Sequence, residues 1–230
     1  MHARASDTWT VIGDRLRIAP YRFPGGVSHT TLVETDRHVV VFSPGVPLVD
    51  EARSLAELGR DVVLVAPSLG HTAGILAWQA CLDDPTVLAS PMTSDRLRGR
   101  GLRVEVQSPR SLTVDGLEVL SPPGNTLGEL WMRVENDAGV TWVVCDAFSN
   151  LRQLAPGFWL RQLQRLYGIR LGLRLGAAFR RHTTDHQAFV GWLEQQLGRG
   201  CDRLVPCHGE VDDGPMLAER LLAEARAAYG

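Results

Sequence analysis

The chain has 230 residues, 44% of them apolar and 22% charged, with a net charge of −2 at pH 7. That balance is ordinary for a globular domain and gives no electrostatic case for general nucleic-acid binding. No apolar run approaches the ~20 residues needed to span a bilayer, and no lysine is present to form a Schiff base.

Four cysteines (Cys81, Cys145, Cys201, Cys207) form no C-x-x-C pair, and the opening MHARASDTWTV has no apolar signal-peptide core. Free thiols and a cytoplasmic setting are the expectation. From the amino terminus, Thr8 to Arg22 reads as two short strands around a Gly-Asp turn, and Pro24-Gly25-Gly26 breaks the chain. Ser28–Glu34 and His38–Phe42 form a hairpin about Asp36-Arg37. His29 and His38 lie in that hairpin and read as structural, and His2 belongs to a mobile end. Leu48–Leu58 is a predicted helix with Gly59 as its cap.

Next comes DVVLVAPSLGHTAGI, from Asp61 to Ile75: a buried strand, a tight polar turn, and His71 at the mouth of a helix running to Leu82. A helix start offers unpaired N–H groups and a positive dipole end. Thr86–Ala89 is a short strand and Asp95–Gly101 a short polar helix or loop. RVEVQ, SLTVDGLEVL, GELWMRVEND and VTWVVCDAF then supply four or five strands, with hairpin signals at Asp115-Gly116 and Asp137-Ala138-Gly139. Helix is predicted from about Leu151 to Phe179 and from Thr184 to Leu197. Leu204–Pro206 is a last buried strand, and Pro215–Tyr229 a last helix.

Strands followed by helices thus occur twice, with no linker between. This predicts one domain over 1–230, an α/β (α+β) four-layer αβ/βα sandwich: two mixed β-sheets face to face with helices outside. A single doubly wound sheet is the competing architecture. Short turns between strands argue for antiparallel pairing and against it.

Three turns stand where α/β proteins place reactive groups: Ala66–His71, Asp146 after a strand, and His208 after another. Two histidines and a carboxylate make a set that binds Zn²⁺ or Fe²⁺ with positions left open. A hydrogen-bonded polar cluster without metal is the competing reading. Strand alternation would turn Cys145 and Cys207 away from such a site, into the core.

The element order and these turns resemble the metallo-β-lactamase fold. The strings VFSPGVPLVDEARSLAELG, VVLVAPSLGHTAGILAWQ, AAFRRHTTDHQAF and DRLVPCHGEV more closely resemble uncharacterised proteins of that fold, the DUF4336 kind. Catalytic members carry H-x-H-x-D-H after the corresponding strand. Laid on this chain, Ala66, Ser68 and Gly70 replace the first three of those residues, and His71 keeps the fourth. Asn125, in SPPGNTLGEL, replaces a later histidine. Asp146 and His208 match the bridging aspartate and the last histidine, and Ser43-Pro44-Gly45 replaces an Asp-x-Gly. The resemblance therefore implies a degenerate metal site: one metal position lost, the other reduced to His71, Asp146 and His208.

Those three residues are the predicted metal ligands and catalytic groups for one Zn or Fe ion, with Ser68, Asn125 and Arg181 as substrate contacts. A hydrolase acting on a small-molecule substrate follows. A metal-free ligand-binding protein or a non-catalytic scaffold on the same fold is the alternative. His182 and His186, four apart, read as structural or solvated. The arginine-rich apolar segment Phe158–Phe179 reads as a membrane-surface or partner-binding helix. The resemblance instead implies that it covers the site mouth or joins a homodimer.

Overall fold

The structure is a computed structural model that describes residues 9–23, 26–103, 106–107, 113–114, 116–155 and 157–229. His2, the Pro24-Gly25 break and Asp115 of one hairpin signal lie outside the described residues.

The first sheet begins with β1 (Thr10–Gly13), β2 (Leu16–Phe23), β3 (Gly26–Glu34) and β4 (His38–Phe42), all antiparallel neighbours. A 3₁₀ turn at Val46–Leu48 leads into α1 (Val49–Ala56). From β4 onward the sheet is parallel: β5 (Asp61–Ala66), β6 (Thr86–Ala89) and β7 (Val106–Gln107). The crossovers are α1, α2 (Ala73–Gln79) and α3 (Pro91–Gly99). Helix α3 starts earlier than expected because Ser90 accepts a hydrogen bond from Thr93 N and Pro91 opens the first turn.

The second sheet contains β8 (Thr113–Val114), β9 (Leu117–Leu120), β10 (Trp131–Asn136) and the long β11 (Gly139–Leu151). Its other members are β12 (Gly172–Leu175), antiparallel to β11, and β13 (Arg203–Gly209), parallel to it. The helices of this half are α4 (Phe158–Leu166), α5 (Ala177–His182), α6 (His186–Leu197) and α7 (Leu217–Tyr229).

Alternation along the strands assigns the layers. Val40, Phe42, Val63 and Val65 meet Met132, Val134, Val143 and Val205 between the sheets. Val39, Val41, Val62 and Leu64 point the other way, onto Ala52, Leu55, Ile75 and Trp78 of α1 and α2. Trp131, Trp142 and Phe148 face Phe189 and Leu193 of α6 and Leu217 and Leu221 of α7. Both faces of each sheet are covered, which is why the strands read as near-continuous apolar runs. The four-layer sandwich is therefore the architecture, and the doubly wound sheet is not.

The long helix expected from Leu151 to Phe179 does not form. Strand β11 continues to Leu151, α4 lasts nine residues, and GLRL of β12 is a strand with alternating burial. Gly168 and Gly172 have φ of +80° and +78°, which ends the helix and starts the strand.

Candidate metal centre

Strand β11 is irregular where it matters. Thr141–Val144 pair with Arg203–Pro206, and pairing resumes only at Ser149 opposite His208. The extra residues on β11 form a bulge that carries Asp146 out of the ladder. Glu129, 1% exposed, holds this bulge. Its carboxylate accepts N–H groups from Cys145 (3.3 Å), Asp146 (3.2 Å) and Ala147 (3.0 Å), and the Trp131 indole (2.8 Å). Burial, then the Asp146 charge, push the Glu129 carboxyl well above the ordinary range against those donors. Gly176 begins the next crossover against Asp146; a Cβ there would collide with the Asp146 carbonyl oxygen.

His71 follows β5 and precedes α2, and His208 ends β13. Both aim Nε2 at Asp146 Oδ1, at 3.6 Å from His71 and 3.4 Å from His208. Their rings meet edge-on, centroids 5.3 Å apart. Each Nδ1 is anchored behind the site. His208 Nδ1 lies 3.2 Å from the Val27 carbonyl oxygen, which can only accept, so the proton sits on Nδ1. His71 Nδ1 is 2.7 Å from Ser43 Oγ, with Tyr21 OH at 3.5 Å. Ser43 adopts φ +54°, a left-handed conformation uncommon for serine, and its backbone bonds Val65 and Thr30. On the other side of the carboxylate, Ser68 Oγ donates to Asp146 Oδ2 at 2.9 Å.

Burial raises the Asp146 carboxyl, but His208 and then His71 outweigh it and hold the group well below its usual range. Burial lowers His208, but the Asp146 carboxylate outweighs it and raises the imidazole. The Tyr21 phenol is pushed up to about 12, chiefly by burial, so it is a neutral hydrogen-bonding group here.

The donor set fits a small divalent ion. One ligand atom from each of His71, Asp146 and His208 lies within 4.8 Å of the others. Ligands ~2.0–2.1 Å from a tetrahedral centre stand roughly 3.3–3.4 Å apart, close to the separations found here. Charge-assisted N–H···O bonds are shorter, about 2.7–2.9 Å. The spacing is that of a coordination set more than of a collapsed ion pair.

The other expected site residues are placed differently. Ser68 is fully buried, with its hydroxyl bonded to Asp146 and approached by Gly70 N and the Cys145 thiol, so it acts on the carboxylate. Asn125 Nδ2 donates to Phe179 O and Thr183 Oγ1, and its Oδ1 accepts from Leu127 N. Its amide is spent on joining a loop to α5. Arg181 is exposed, its guanidinium 5.5 Å above the Tyr167 ring, and no hydrogen bond joins it to His71, Asp146 or His208 among the described residues. His182 ends α5 beside Thr126, whereas His186 opens α6, bonds Thr183 O and stacks on Tyr229; they do not share a face. Cys145 and Cys207 are in the core between the sheets, but their sulfurs reach within 4.8 Å of a His71 nitrogen. Sequence reasoning missed Glu129 and Tyr21, and marked Ser43 only as the start of the Ser43-Pro44-Gly45 that replaces an Asp-x-Gly. The only visible signal was an acidic residue, Glu129, opening a strand otherwise apolar in GELWM.

No protein-family profile matches the chain, and no curated protein does. Solved structures do. The DIM-1 metallo-β-lactamase superposes with a TM-score of 0.66 at 14% identity, covering 96% of this chain and 97% of that one. TMB-1 gives 0.62 at 17% identity, covering 96% and 98%. A metallo-β-lactamase from Pontibacter korlensis gives 0.60 at 16% identity, covering 95% and 98%. The agreement over almost the whole of each chain, together with two mixed sheets between helical layers, establishes that this chain has the metallo-β-lactamase fold.

Proposed function

We propose that the chain is a hydrolase-like protein of this fold with a single metal position, held by His71, Asp146 and His208. The observation that carries the reading is the convergence of both Nε2 atoms on Asp146 Oδ1, with each Nδ1 fixed from behind. Outer partners that set the tautomer and ring orientation are a regular feature of metal-ligating histidines. Zn²⁺ or Fe²⁺ suits two imidazoles and a carboxylate. Such an ion supplies Lewis acidity at this point, polarising an oxygen and easing its deprotonation.

The chain's own residues supply position and charge. Ser68 fixes one Asp146 oxygen, leaving Oδ1 toward the histidines, and Glu129 fixes the bulge beneath. Ser43 and Val27 orient the imidazoles. The substrate is a small molecule, reaching the centre where the Asp146 and His208 side chains keep exposures of 19% and 23%. The likeness to DUF4336 proteins belongs to this reading.

The test is metal analysis of untagged protein, with and without added Zn²⁺ or Fe²⁺. About one ion per chain, lost on Asp146→Ala, is the expected result. Less than ~0.2 ion per chain with no gain on addition would leave the metal-free ligand-binding reading in its place.

A further inference from the structure

Helix α4 is built inside out. Its sequence, FWLRQLQRL, places Trp159, Leu163 and Leu166 on one face and Arg161 and Arg165 on the opposite side. An amphipathic helix in a globular protein turns such an apolar face to the core. Here no residue of α4 is buried, and Trp159 and Leu166 are 82% and 81% exposed. Among the described residues, six of the thirteen large exposed apolar side chains fall between Phe158 and Leu171. Single exposed apolar residues need no explanation, but a contiguous group does.

The charge around this patch is one-sided. From Ala147 to Thr184 the sequence has seven arginines and no Asp or Glu, in a chain whose net charge is −2. Arg174 pairs with Glu224, and Arg181 lies over Tyr167. Arg152, Arg161, Arg165, Arg170 and Arg180 form no ion pair among the described residues and are exposed.

We propose that α4 and its flanks are a docking surface for an anionic membrane, with Trp159, Leu163 and Leu166 entering the interface and the arginines meeting lipid headgroups. A helix with an aromatic-aliphatic face and an arginine-bearing polar face has the chemistry of in-plane membrane helices. Basic residues near an anionic leaflet add attraction that salt screens. A second copy would bring the same unpaired arginines of the whole segment together with no acidic partner between them, and a nucleic-acid backbone offers nothing for the apolar face. Among the described residues no helix is long and apolar enough to cross a membrane, so the contact is peripheral. The proposal is independent of the metal centre.

The full chain is sedimented with vesicles of phosphatidylcholine alone or of phosphatidylcholine and phosphatidylglycerol at 3:1, in ~0.1 M and ~1 M salt. Binding to the anionic vesicles at low salt should exceed binding to the neutral ones at least about tenfold and fall at high salt. The variants Trp159→Glu/Leu166→Glu and Arg161→Glu/Arg165→Glu should each weaken it at least about tenfold. Because the four substituted side chains are exposed, both should keep the wild-type circular dichroism and melting temperature. Absence of binding to anionic vesicles, or binding unchanged in both variants, overturns the proposal. So does a dimer in sedimentation velocity that the Trp159→Glu/Leu166→Glu variant breaks while vesicles bind nothing, which would assign the face to a second copy.

Discussion

The retained side of the centre, His71, Asp146 and His208, and the vacated side, Ala66, Ser68 and Asn125, differ in where their polar atoms point. On the retained side they point at one another across a gap of ion size. On the vacated side they are used up within the protein: Ala66 is core, Ser68 braces Asp146, and Asn125 ties a loop to α5. Ser68 thus supports Asp146 directly, and Asn125 holds the loop beside it. A site decaying without constraint would leave buried polar groups unpaired on both sides, at ~1–3 kcal/mol each.

The largest effect that would sharpen this contrast is loss of a ligand. His208→Ala should lower Zn²⁺ affinity by more than about 100-fold, since even outer partners of ligands cost about 10–100-fold. Equilibrium dialysis reads it directly. Metal content equal to wild type would remove the retained side as a centre. Glu129→Gln comes next. Its amide oxygen can replace the Oε1 that serves three donors, but its NH₂ then faces Asp146 N–H where Oε2 had accepted. One unsatisfied donor should cost about 1–3 kcal/mol in urea unfolding. The displaced bulge should also weaken metal binding about tenfold. Full stability with normal metal binding would show that the bulge holds itself.

Asn125→Ala tests the other side. It removes hydrogen bonds to Phe179, Thr183 and Leu127, so stability should fall by about 1–2 kcal/mol while metal affinity stays within about twofold. A large loss of metal affinity at unchanged stability would break the contrast, because Asn125 would then belong to the centre.

How much of this was legible beforehand depends on the range of the interaction. The sandwich was readable because near-continuous apolar runs and short turns are local signals, and His71, Asp146 and His208 stood out because each sits in a short strand-end motif. Their support was not. Glu129 acts on backbone N–H groups 16 to 18 residues away, which leaves no mark on the sequence of the bulge. The division between α4 and β12 failed for a related reason: the apolar spacing of FWLRQLQRLYGIRLGLRL satisfies a helix, and only the positive φ values at Gly168 and Gly172 divide it into helix and strand.

The smallest effect separates the two sides by pH. Without metal, the folded His208 imidazole is raised above its unfolded value near ~6.5, and the Asp146 carboxyl is held below its unfolded ~3.9. The pair therefore stabilises the fold between those limits. Stability is lost as pH falls through the folded Asp146 value and, at the other end, as pH rises through the folded His208 value. Metal reverses the upper limit, because the ion competes with the proton on His208 and binds more tightly as that proton leaves. Melting temperatures from pH 6 to 9 should thus fall with pH for the metal-free protein and rise for the zinc-loaded one. The two slopes should persist in Asn125→Ala at lower absolute stability and vanish together in His208→Ala. Parallel slopes with and without zinc in the wild type would mean that the ion, if bound, does not displace the His208 proton, and the retained side would then be a hydrogen-bonded cluster.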